Sequence, residues 1–85
     1  MNHPVKDCIQ KLGLTHRAFV VLHDTPWERF RSCLYGYTDS IPRSIVGVLI
    51  QQGYEEQTVQ QQYLQWRKWK VEQELTPAAT ERRVN

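Results

Sequence analysis

The 85-residue sequence has no glycine-rich stretch, no long apolar run and only two cysteines. Its four glycines stand far apart, which excludes the glycine-rich loops that cradle phosphates. No apolar segment approaches the roughly 20 residues needed to span a bilayer. Cys8 and Cys33 have neither CxxC spacing nor flanking ligands, so a disulfide framework and a zinc knuckle are both disfavoured. Both fall on apolar helix faces, and buried thiols in a reducing compartment are expected. The opening Met1-Asn2-His3-Pro4 does not resemble a secretory leader, so the expected location is cytoplasmic. A strong excess of one charge is also missing. Eleven Lys and Arg against nine Asp and Glu leave a net charge of +2, which permits a nucleic-acid partner without arguing for one.

What remains is the composition of one small folded domain, 40% apolar with nine aromatics and too short for a separate catalytic or effector domain. Five helices are expected, over about 4–12, 15–23, 26–35, 42–52 and 55–75, with a disordered tail over 76–85. In the first, Val5, Cys8, Ile9 and Leu12 recur at helical spacing before Gly13. The second, capped by Thr15, is expected to bury Phe19 and Leu22 beside Ala18. The third opens Thr25-Pro26-Trp27-Glu28, the pattern of a capping box with proline at the first helical position. It carries Phe30, Cys33 and Leu34 on one stripe and ends at Gly36. Pro42 and Gly53 bound the fourth.

Two runs, Phe19–Leu22 and Ile45–Ile50, are rich in β-branched residues and also fit strands. Capping residues upstream of both favour helix. In the fourth helix Ile45, Val48 and Leu49 share a face while Val46 and Ile50 lie on another. It must then be covered on two sides, by the fifth helix or by a second subunit. The fifth has the same double character. Val59, Tyr63, Trp66 and Trp69 form a core-facing stripe; Leu64, Val71 and Leu75 form a second. That second stripe reads either as scattered exposed aliphatics or, with Val46 and Ile50, as a dimer or partner interface.

Only about three residues separate the second and third helices, which throws them across each other as in a helix-turn-helix. Facing away from Phe30, Cys33 and Leu34 are Glu28, Arg31, Ser32 and Tyr35, with Trp27 and Arg29 at the edges. Arginine pairs bidentately with guanine, glutamate accepts from cytosine, and serine donates to base or phosphate. The plain alternative is a solvated amphipathic face.

From about Ile9 to Gly53 the chain resembles the Cro/cI (Xre-type) helix-turn-helix family of phage and plasmid repressors. Leu14-Thr15 matches the start of the family's second helix. Phe19, Phe30 and Cys33 stand where it has core aliphatics, and Gly36 matches the glycine after its recognition helix. The chain departs at Val20, where a small residue is usual, at His23 for leucine, at Asp24 for the turn glycine and at Thr25 for an apolar residue. The resemblance implies a lambda-repressor-like all-α domain with a long C-terminal helix. It implies Glu28, Arg31 and Ser32 as base readers beside Trp27, with Thr15, His16 and Arg17 meeting phosphates.

The expected function is therefore a small sequence-specific regulator of transcription that binds double-stranded DNA as a homodimer, without a cofactor or metal and without enzymatic activity. The alternative is a protein-interaction module that docks a repressor or polymerase subunit through the fifth helix. His16 and His23 lack the short spacing of metal ligands. Arg67-Lys68-Trp69-Lys70 reads as a phosphate-binding strip or as a core tryptophan between solvated lysines.

Overall fold

The computed structural model of the chain describes the backbone of residues 1–84 and the side chains of residues 1–75; the fifth helix, expected to end near 75 before a disordered tail, continues through Val84, and the last residue lies outside the described residues. The element order is α1 (Pro4–Leu12), α2 (His16–Leu22), α3 (Trp27–Leu34), α4 (Arg43–Gln51) and α5 (Glu56–Val84). The domain is all-helical, and there is no strand among the described residues. Both β-branched runs are helical because each begins behind a residue that starts a helix. The Thr15 hydroxyl accepts the Ala18 amide at 3.0 Å, and Pro42 precedes α4.

The first four helices end alike. Each is followed by a left-handed residue: Gly13, the cap of α1 itself, and Asp24, Gly36 and Gly53, each one past the cap of its helix. The next amide then reaches back five residues, as Thr25 N–H does to the Val20 carbonyl at 3.2 Å and Tyr37 N–H to the Ser32 carbonyl at 2.9 Å. Asp24, with φ at 51°, thus occupies the left-handed conformation for which glycine is the usual choice.

This turn explains a departure from the expected capping box. The back-reaching bond draws Thr25 inward, where it is buried and its hydroxyl has no partner. Pro26, not Thr25, is the residue that precedes α3, and no side chain caps that helix. Glu28 is left exposed.

The core joins Val5, Cys8 and Ile9 of α1, Phe19 of α2, and Phe30 and Cys33 of α3. It continues through Ile45, Val46 and Leu49 of α4 to Val59, Tyr63 and Trp66 of α5. Phe19 and Phe30 stack at 5.4 Å between ring centroids and tie α2 to α3. Trp69 packs on the margin of this core. Two expectations are corrected here. Leu22 is 64% exposed, because α2 ends there and only Phe19 turns fully inward. Val46 is 3% exposed, so it belongs to the subunit's own core and not to an intersubunit face. Both sides of α4 are occupied within the chain, by α1 and α5.

His3 closes the assembly. A backbone N–H can only donate, so Nδ1 must accept from Val5 N–H, at 3.1 Å; Nε2 then carries the proton and donates to the Cys33 carbonyl at 2.9 Å. The ring also meets Trp66 edge-on at 4.4 Å and lies 5.3 Å from Tyr63. Burial, opposed by the Cys33 bond and assisted by the nearby Lys6 charge, pushes its pKa down to about 4. The two thiols are likewise held protonated by burial, that of Cys33 pushed up to about 11.

Two predictions follow from the packing. Phe30→Ala should cost about 3–5 kcal/mol, measured by urea unfolding; a loss below about 1 kcal/mol would place Phe30 outside the core. The unfolded imidazole binds a proton near pH 6.5, the folded one only near pH 4, so stability is full above pH 6.5 and falls as the pH drops towards 4. The loss should reach up to about 3 kcal/mol. His3→Gln should remove that part of the pH dependence, and an unchanged pH profile in the variant would refute the assignment.

Candidate nucleic-acid interface

The expected DNA-facing residues lie on α2 and α3 or at the ends of these helices. Four of them, Glu28, Arg31, Ser32 and Tyr35, line a single shallow depression together with Tyr37. Glu28, Arg31 and Tyr35 are exposed and Ser32 is half-buried. Tyr35 and Tyr37 stand 6.0 Å apart on either side of Gly36. Tyr37 is 78% exposed and was not among the expected residues, since it lies past the helix where helical periodicity carries no information.

Thr15, His16 and Arg17 lie outside that depression but on the same helix pair. His16 meets Phe30 edge-on at 5.8 Å, and Trp27 lies 5.9 Å from the same ring. Phe30 thereby positions both the start of α2 and the start of α3. Trp27 keeps about half its surface exposed. The Thr15 hydroxyl already accepts the Ala18 amide, so it can only donate to a phosphate. Helix α2 has seven residues, and any phosphate contact there depends on the Arg17 charge rather than on the helix terminus.

The side chains of Arg17, Arg29 and Arg31 are exposed and make no ion pair with another described residue. Arg67 is spent differently. Its Nε donates to the Gly36 carbonyl at 2.8 Å, and its guanidinium lies 3.9 Å from the Asp39 carboxylate. Three α5 side chains on one face hold the loop between α3 and α4. Gln60 grips Ile41 by both amide and carbonyl, at 2.8 and 3.0 Å, while the Tyr63 hydroxyl bonds Thr38 through its hydroxyl and its carbonyl. Burial pushes the Tyr63 phenol up, so it stays protonated and able to donate. None of these three contacts was evident from the sequence, because the partners are 19 to 31 residues distant.

Gly36 is the pivot of this arrangement. Its φ is 81°, and a Cβ there would come within 2.8 Å of Trp66 Cζ3. Gly36, just past the end of α3 and between Tyr35 and Tyr37, is thus pressed directly on α5.

Of the residues expected at a dimer or partner face, Ile50, Leu64, Val71 and Leu75 are exposed, and Val46 is not. Among the described residues no group of three potential metal ligands occurs, and no helix is long and apolar enough to cross a membrane. No family model, curated protein or solved structure matches the chain.

Gly36→Ala should destabilise the domain by about 1–3 kcal/mol through the left-handed backbone and the contact with Trp66. Urea unfolding followed by tryptophan fluorescence measures it. A loss under about 0.3 kcal/mol would mean that α3 is not pressed on α5 at this point.

Proposed function

We propose that the protein binds duplex DNA, with α3 entering the major groove and α2 resting on the backbone. The observation that supports this best is the exposed α3 surface of Glu28, Arg31 and Ser32, whose buried side is fixed by Phe30 and Cys33. Side chains so placed have rigid support behind them and reach outward by one side-chain length, as base-edge contacts require. The turn supports the same reading, since Asp24 adopts the left-handed conformation that the Cro/cI-type resemblance assigns to a glycine. Arg17 and Arg29, exposed and without a carboxylate partner among the described residues, suit phosphate contacts. The small net charge implies weak binding to random DNA and a specificity carried mostly by α3.

A regulator with this surface would act without a cofactor, and a second copy would let it read a two-fold-related site with half-sites about 34–36 Å apart. The other reading is a module that docks a protein through α5. It draws on the apolar cavity of about 410 Å³ lined by Gly36, Leu64, Arg67, Lys68, Val71 and Glu72.

Selection from a random duplex pool followed by binding at two salt concentrations tests the DNA reading. Arg31→Ala should lower discrimination among sequences by about 1–3 kcal/mol without unfolding the domain. Arg17→Ala should weaken binding to every sequence and reduce the salt slope by about one. If both variants bind as the parent does, α3 is not the reading helix.

A further inference from the structure

The exposed stripe of α5 runs beside charges that change sign along the helix. From residue 67 the chain reads Arg-Lys-Trp-Lys-Val-Glu-Gln-Glu, basic before Val71 and acidic after it. Lys68, Lys70, Glu72 and Glu74 are all exposed. At 100° per residue, Leu64, Val71 and Leu75 lie within about 40° of one another. Lys68 and Glu72 then flank the stripe on one side, with Lys70 and Glu74 on the other.

We propose that two copies of the chain pair through α5 in antiparallel orientation, with the two-fold axis passing beside Val71. In that arrangement each flank meets the same flank of the other copy, running in reverse. Lys68 of one copy then faces Glu72 of the other, and on the opposite flank Lys70 faces Glu74. The levels of each pair differ by about 3 Å along the axis. In a parallel pairing each flank meets the opposite flank in register. Lys68 would then face the Arg67 and Lys70 side and Glu72 would face Glu74, like charge on like. The apolar side chains agree with the antiparallel choice. Leu75 of the second copy falls level with Arg67, at the mouth of the cavity between Leu64, Lys68 and Val71. Each copy thus places a leucine in the other's hollow. Ile50 of α4 is not required for this contact. The inference rests on reading the α5 stripe as a contact surface and not on DNA binding by α3.

Sedimentation equilibrium of the whole chain at up to about 100 µM, where a micromolar complex is well populated, reads the association. The parent should be dimeric. Lys68→Glu with Lys70→Glu should make it monomeric, and so should Glu72→Lys with Glu74→Lys. An equimolar mixture of these two variants should regain the dimer, with helix content unchanged throughout. Orientation is read by pulsed electron paramagnetic resonance on a spin label at Glu56→Cys. The two labels should be about 45 Å apart in the antiparallel pair. A monomeric parent, variants that stay dimeric, a mixture that fails to associate, or labels within about 20 Å would each overturn the proposal. A dimer that ignores DNA would leave it intact and remove the proposed function instead.

Discussion

One face of α5 is the constraint on which the rest of the domain depends. Gln60, Tyr63 and Arg67 fix the loop after α3 by its backbone, at Ile41, Thr38 and Gly36, and Trp66 packs against Gly36 beside them. Loops usually gain their polar partners from water. Here the loop is bonded to a long helix, so α3 is held at its C-terminal end as well as along its buried stripe. His3 adds a second tie from the chain's start to the last turn of α3, with its ring against the same aromatic pair, Tyr63 and Trp66.

That rigidity bears on function through geometry. The outward residues of α3 contribute little to folding, since Glu28, Arg31 and Tyr35 are exposed. Their backbone is nevertheless braced, with Phe30 and Cys33 buried beneath and Gly36 pressed on Trp66. A solvated face with no task does not need such support, which is why the exposed surface of α3 weighs more in the functional reading than the modest net charge. The stripe on α5 is the other face left open by folding. Both lie away from the core that joins α1, α4 and α5.

Local signals in the sequence were legible where the physics is local. Gly13, Gly36 and Gly53 each stand where a left-handed residue ends a helix, and Phe30, Cys33, Tyr63 and Trp66 follow the 3.6-residue period. The failures have equally physical causes. Thr25-Pro26-Trp27-Glu28 has every residue of a capping box, yet the turn at Asp24 pulls Thr25 into the interior and no cap forms. Leu22 fits the period of α2, but the helix stops before a neighbour covers it. Val46 lies off the main face of α4 and is buried all the same, because α1 and α5 enclose that helix from two sides. His3 and Gln60 were invisible, since a polar residue announces a buried role only through a partner distant in sequence. Of the candidate interface, the residues on α3 were legible, and Tyr37, displayed by the loop, was not.

Amide chemical-shift mapping on titration with a selected duplex tests the account's central claim most directly. If α3 reads DNA, the largest shifts fall on residues 27–37, with a second set at 15–17, while α5 between Leu64 and Leu75 is unaffected. Shifts confined to that part of α5, or a spectrum unchanged by saturating duplex, would contradict it.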